Sequence, residues 1–532
     1  MMKFIVTSAL AGILVFLLAA HPAALKAQAQ QGSPLPEQIE QIIQRPVFRH
    51  ASFGIEFYSL DSDKPLYEMN PQKLFTPAST TKLLTEGTAM DLLGPGYRFH
   101  TRVYRTGPVT AGGTLEGDLV MVGSGDPNLS QRIQPNGTLA FENDDHCYGG
   151  PAVPGNPLVV IEQLAAQVAA RGIRRVDGRV LADASLFPEG QPELGTGTII
   201  SPFVINDNIV DVTASPGQTL GSPVTLTISP ATSYVRFIDL AVTGPADIEP
   251  DIEWTKDVQV PGGTHTVTVT GRMPIGKPSQ LFPYAIPQPR RFAEIALASA
   301  LRDAGVTVAG AGTGSKPDFQ QLAADYTAAN LVAEHISPPL SEDVKITLKV
   351  SQNLHASLMP YILGAVVGHA ADNIEQEGFI LEHNFLEKAG LDLSGASQSD
   401  GAGGSPAAFF TPDFMVHYLA FMYHHKVFPQ LFAGLPVMGR DGTLTDIQTH
   451  SPAAGHIFAK TGTFDDYDML NQNDMVTGKG LAGYFTTPGG DHVAFAIYAN
   501  EVAVPGHGEQ IEHIVGQALG EIAVAAYFGL GK

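Results

Sequence analysis

The chain is poor in cysteine and in positive charge, and each shortage narrows what it can be. With one cysteine, Cys147, in 532 residues, no disulfide can close within the chain. Lys and Arg number 31 against 53 Asp and Glu, a formal net charge of −22, and no basic run offsets it locally. Nucleic acid and anionic membrane surfaces are excluded as partners on that ground. No Gly-x-Ser-x-Gly occurs, so there is no nucleophile elbow. The groups His507, Glu509 and His513, His424 with His425, and His146 with Cys147 match no zinc spacing. They read as packed or solvated side chains, as does His355. No metal or other cofactor is implied. Charged residues make up only 16% against 44% hydrophobic, which rules out disorder for the whole, and the length allows about three domains.

What is present begins with a targeting pattern. Lys3 precedes an apolar run over 4–20, and Ala27-Gln28-Ala29 fits a small-x-small cleavage site. Residues 1–29 therefore read as a cleaved signal peptide, and the mature chain as periplasmic or otherwise exported. A retained anchor is the alternative. No later stretch is apolar over a spanning length, so no stable membrane span is expected after signal removal. With no Cys at the junction, a lipoprotein is excluded.

Periodicity then divides the chain. Helical spacing over 35–45 is followed by a strand pair around Asp61-Ser62-Asp63-Lys64 and a helix over 80–93, ended by Gly94-Pro95-Gly96. From about 97 to 287, short alternating runs separated by Gly and Pro predict strands, with one helix over 158–171. Helices return over 292–304, 343–367, 373–389 and 411–424, then a strand hairpin around Pro488-Gly489-Gly490-Asp491 and a helix over 508–528. The pattern predicts an α+β domain split in sequence, a sheet covered by helices, with a large mostly β insertion. The expected parts are 30–97 and 290–532 for the split domain and 98–289 for the insertion. A smaller unit is expected nested at about 205–265. The polar segment 465–479 reads as a loop at the site rim, and Cys147 as a loop residue without a role.

Three short motifs can carry chemistry. In Ser79-Thr80-Thr81-Lys82, i and i+3 share a helix face, so Lys82 can reach the Ser79 hydroxyl and act as its base if burial depresses its pKa. Pro77 suits the helix start. Ser351-Gln352-Asn353 offers a hydroxyl and a carboxamide within a helical stretch or at a break in one. Lys460-Thr461-Gly462-Thr463 reads as an edge strand: Lys460 supplies charge, the hydroxyls of Thr461 and Thr463 suit a carboxylate, and Gly462 admits a substrate backbone. Each alone also fits a surface serine and lysine or a polar helix break. Their order, Ser-x-x-Lys, Ser-x-Asn, Lys-Thr-Gly, is that of β-lactamases and penicillin-binding proteins.

Ser79 and Ser351 lie 272 positions apart, more than a compact β-lactamase needs. With its β-rich filling, the chain resembles the D-alanyl-D-alanine carboxypeptidase/endopeptidase family of the penicillin-binding protein 4 type (peptidase family S13). The stretches Gly117-Asp118-Leu119, Gly125-Asp126-Pro127-Asn128-Leu129, Asp183-Ala184-Ser185, Asp400-Gly401-Ala402-Gly403 and Gly439-Arg440-Asp441-Gly442-Thr443-Leu444 carry the same resemblance. It implies Ser79 as acylated nucleophile, Lys82 as general base, and Ser351 and Asn353 for proton transfer and carbonyl binding. Lys460 and Thr461 would hold the carboxylate end, and the N–H groups of Ser79 and Thr463 would form the oxyanion hole. Peptidoglycan peptides would be substrates and β-lactams covalent inhibitors. A β-lactamase or D-amino-acid esterase or amidase on the same fold is the first rival, and an inactive cell-wall-binding or penicillin-sensing protein the second. Two features of the family are missing. Gly404-Ser405-Pro406 stands where an Arg is common, and no Trp-x-Trp-x-Asp follows residue 187, the sole tryptophan being Trp254. The resemblance assigns those residues to a diaminopimelate side chain, and Glu193 is a candidate substitute that could attract its amine.

Overall fold

The computed structural model describes residues 33–308, 316–505 and 509–530. The expected signal peptide over 1–29 and His507 lie outside them. Among the described residues, no helix is long and apolar enough to cross a membrane.

Helix α1 (Leu35–Ile43) buries Leu35, Ile39 and Ile42, one face at i, i+4 and i+7. Strands β1 (Ser52–Ser59) and β2 (Lys64–Met69) form an antiparallel hairpin. Helix α2 (Lys82–Leu93) stops where Gly94 takes φ 90, a conformation open to glycine at little cost. Far along the chain come α3 (Leu340–Lys349), α4 (Asn353–Ile362), β3 (Ile457–Asp468), β4 (Asn473–Thr486), β5 (His492–Asn500) and α5 (Gln517–Gly529).

Strand β5 pairs antiparallel with β1 from Ser52–Asn500 to Ser59–Val493, so both ends of the chain share one sheet, ordered β2-β1-β5-β4-β3. The near-continuous apolar run of β5 is explained by two covered faces. Phe495, Ile497 and Ala499 pack with α1 and α5, while Ala494, Ala496 and Tyr498 pack with the helical layer of Leu83, Leu354 and Tyr418. A fully buried Phe or Ile side chain contributes about 1.5–3 kcal/mol here.

Between α2 and α3 the chain is strand-rich. Leu331–Ile336, His100–Arg105, Leu119–Val122 and Val180–Asp183 form a four-stranded sheet, backed by helices Val159–Ala170 and Pro289–Asp303 in a separate core. Strands between Ile209–Ser215 and Gln280–Ala285 pair only with one another among the described residues, a wider span than the nested unit at 205–265. The packing also departs from the boundary expected at 290. Phe292, Leu297 and Leu301 of the helix, and Val332 and Ala333 of the strand, join the inserted core with Val103 and Leu164. We therefore place the return to the split domain after Ile336.

The segment 465–479 is not a loop. Strands β3 and β4 stay paired out to Asp468–Asn473, and the Asp468 carboxylate accepts the Leu470 and Asn471 N–H groups at the tip. Its outgoing half, Asp465–Asp468, is largely exposed, and on the return strand the buried positions Asp474, Val476 and Gly478 include one apolar side chain, which is why its polar sequence hid it.

Candidate active site

Ser79 lies in a tight turn, Ala78–Thr81, leading into α2. The i, i+3 spacing sets the Lys82 amine beneath it, and Nζ donates to Ser79 Oγ at 2.7 Å. Nζ also donates to Asn353 Oδ1 at 2.6 Å and to the Ala402 carbonyl at 3.0 Å, using all three of its hydrogens. Lys82 is fully buried. Burial lowers its pKa to about 8, against the opposing pull of Glu193, Asp400 and Glu86. The Ala402 carbonyl is itself fixed, because the Asp400 carboxylate accepts the N–H groups of Ala402, Gly403, Gly404 and Ser405.

The helix expected over 343–367 is broken at the second motif. Helix α3 ends at Lys349, α4 starts at Asn353, and Ser351 takes φ 61 between them. A non-glycine residue in this region stores of order 1–3 kcal/mol and needs its surroundings to hold it. Lys460 Nζ donates to Ser351 Oγ at 2.9 Å, and the Tyr148 hydroxyl donates to the Ser351 carbonyl at 2.8 Å. The Gln352 side chain accepts the Leu354 N–H at 2.8 Å, capping α4. The break turns Ser351 and Asn353 toward one cavity.

The third motif sits on β3, the sheet edge. Lys460 is fully buried, and burial, reinforced by Lys82 and Lys479, holds its pKa well below the usual lysine value. The Thr461 hydroxyl donates to Thr443 Oγ1 at 2.7 Å. Gly462 has a packing reason beside the one its type suggested. A Cβ there would lie 2.5 Å from the Pro77 carbonyl oxygen and 3.1 Å from the Ser79 nitrogen. Its missing side chain admits the Ser79 turn. Thr463 Oγ1 accepts from Lys479 Nζ at 2.5 Å, and Lys479 pairs with Glu512.

Ser79, Ser351, Asn353, Thr461, Gly462 and Thr463 line one cavity of about 510 Å³, with the two buried lysines reaching its two serine hydroxyls. Such an arrangement can activate one hydroxyl as nucleophile and the other as proton carrier. Glu193 does not face this cavity as a free carboxylate. It accepts the N–H groups of Gly195, Thr196 and Gly197, fixing its own loop, whose Leu194 and Gly195 form part of the wall.

Sequence reasoning missed Tyr148, Thr443, Ala402 and Lys479. Thr443 and Ala402 lie in stretches already singled out, and Lys479 stands between two glycines in a strand, a signal for close packing. Tyr148 gives no signal. Cys147, expected in a loop without a role, is buried in a turn beside it and accepts from Gln352 Nε2 at 3.2 Å.

Among the described residues, Asp145, His146, Cys147 and Asp207 bring metal-type donor atoms within 4.8 Å of one another. Their atoms already have partners. Arg132 bridges Asp145 and Asp207 at 2.6 and 2.7 Å, and His146 lies between Asp207 and Asp211 at 2.7 and 2.8 Å. His355, fully buried, pairs with Asp207 at 3.0 Å and Asp343 at 2.9 Å. The group is a buried ionic network.

Comparison with known proteins adds an independent line. The D-Ala-D-Ala carboxypeptidase 3 (S13) family matches residues 35–518. A D-alanyl-D-alanine carboxypeptidase of Actinomadura sp. (strain R39) is 27% identical over 505 residues, 91% of this chain and 84% of that protein. The D-alanyl-D-alanine carboxypeptidase DacB of Haemophilus influenzae is 22% identical over 466 residues, 85% of each. The solved structure of penicillin binding protein 4 (dacB) from Haemophilus influenzae matches with a TM-score of 0.71 at 19% identity, over 93% of this chain and 99% of that one. The likeness extends over the whole α+β architecture, insertion included.

Proposed function

The chain belongs to the D-Ala-D-Ala carboxypeptidase 3 (S13) family, and from that premise we propose how its own residues perform serine D,D-peptidase chemistry. The observation that carries the reading is the double pairing on one cavity: Lys82 on Ser79 at 2.7 Å and Lys460 on Ser351 at 2.9 Å. Neutral Lys82 takes the Ser79 proton as Oγ attacks the carbonyl of the penultimate D-alanine. With a pKa of about 8, Lys82 has an appreciable neutral fraction near neutral pH, which an exposed lysine lacks.

The oxyanion meets the N–H groups of Ser79 and Thr463. The contact of Gly462 with the Ser79 turn supports this, since it draws strand and turn close enough to aim two donors at one point. Ser351 hands its proton to the leaving D-alanine amine and is resupplied through Lys460. Lys460 and Thr461 hold the substrate's terminal carboxylate, and Asn353 keeps Lys82 in place while facing the donor peptide. Water then releases the acyl group from Ser79. Carboxypeptidase and endopeptidase cleavage share these steps and differ only in what the departing amine carries.

β-Lactams acylate Ser79 by the same attack and act as inhibitors. The substrates are peptidoglycan peptides, met in the periplasm after removal of residues 1–29. Incubation with a D-alanyl-D-alanine peptide tests the reading: the purified protein releases D-alanine and Ser79→Ala does not. Release that survives in Ser79→Ala would overturn it.

A further inference from the structure

We propose that Tyr148 is a positioning residue of the active site, whose hydroxyl holds the Ser351 backbone in the left-handed turn that aims Ser351 Oγ at Lys460. This rests on the role given to Ser351 above. Serine does not favour φ 61, and its own side chain is engaged elsewhere, by Lys460. The hold on the backbone comes from outside, from the Tyr148 hydroxyl on the Ser351 carbonyl at 2.8 Å.

The turn presenting Tyr148 is built as an anchor. Asp145 accepts from the Cys147 N–H at 2.9 Å, from Arg132 at 2.6 Å and from the Gln352 amide at 3.2 Å. Gln352, the residue between Ser351 and Asn353, also reaches Cys147 Sγ, and on α4 His355 reaches Asp207 at 3.0 Å. Asp207 closes the circuit through Arg132 and His146. The inserted segment thus grips the second motif at 351 and 352 and the helix that follows it at 355. Arg132, Asp145, His146, Asp207 and Gln352 are all buried, so the grip is rigid where it meets the catalytic loop. Tyr148 is 45% exposed and lines the cavity, which leaves room for phenylalanine in its place.

Without the hydroxyl, the 351–352 peptide can relax and Ser351 Oγ swings from Lys460. Proton delivery slows, while Lys460 and Thr461 still hold the carboxylate. The test is a double-mutant cycle of Tyr148→Phe and Ser351→Ala, read as kcat and KM on a D-alanyl-D-alanine peptide and as the rate of penicillin acylation. Tyr148→Phe is expected to lower kcat and acylation roughly tenfold, the scale of one well-placed hydrogen bond. KM should stay within about twofold and the melting temperature within about 2 °C. In the Ser351→Ala background the same substitution should lower both rates less than about twofold, since the group it positions is gone. An equal loss in both backgrounds, a loss carried by KM, or unchanged rates would each overturn the proposal. The unsubstituted protein, run alongside, tests the underlying reading separately through its own acylation and D-alanine release.

Discussion

Gly462→Ala is the sharpest single perturbation of this site. The added methyl would lie 2.5 Å from the Pro77 carbonyl oxygen, and 3.1 Å from both the Ala78 Cβ and the Ser79 nitrogen. Comfortable separation is about 3.5 Å, so strand and turn must part by roughly 1 Å. The atoms in the way are mostly backbone, on a turn held between β3 and α2, and cannot swing aside as a side-chain tip could. A displacement of that size at the reacting groups lowers rate by about 10²-fold, and loss of an aligned oxyanion donor by about 10²–10³-fold. Acylation by penicillin and kcat/KM on a D-alanyl-D-alanine peptide should therefore both fall by at least about 10²-fold. Gly96→Ala is the control, because a Cβ there meets nothing within 4 Å. If Gly462→Ala keeps activity within threefold of the parent, the contact does not set the oxyanion geometry and the reasoning fails.

Three further outcomes follow from the same structure. The acylation rate should rise with pH through about 8 and then level, because the lowered pKa populates the neutral base well before pH 10.5, and Lys82→Ala should slow it about 10²–10⁴-fold; a flat profile from pH 5 to 9 would count against Lys82 as base. Arg132→Met removes the cation bridging Asp145 and Asp207, so denaturant unfolding should show a loss of about 3–5 kcal/mol; a change under about 1 kcal/mol would mean the network is not ionic. With Pro406 in place of an arginine and no Trp-x-Trp-x-Asp element, matched peptides with the diaminopimelate terminus free or blocked should be cleaved at similar kcat/KM. A preference of about a hundredfold for the free form would show the pocket rebuilt by other residues.

The sequence revealed what local chemistry controls. Ser79 with Lys82 is legible because i, i+3 on a helix start brings them together, and the final strands because β5 is apolar on both faces. What escaped notice depends on long-range partners. Ser351 reads as lying within a helical stretch or at a break in one, and only the structure shows a left-handed turn whose carbonyl accepts from a tyrosine 203 positions away. Glu193 looks like a free carboxylate because its partners are mostly backbone N–H groups, which leave no mark in the sequence. Helical spacing resumes near 290 and so points to a return from the insertion there, yet Pro289–Asp303 and Leu331–Ile336 bury their apolar faces in the inserted core. Helix content and domain membership are separate properties.

The central claim is that Ser79 is the nucleophile of a penicillin-reactive serine peptidase. Intact-mass and peptide-mass measurement after exposure to penicillin G addresses it most directly. One covalent equivalent on the peptide containing Ser79, slow to leave and absent from Ser79→Ala, is the expected result. Labelling that persists in Ser79→Ala would contradict the account, as would rapid turnover of penicillin without a lasting adduct.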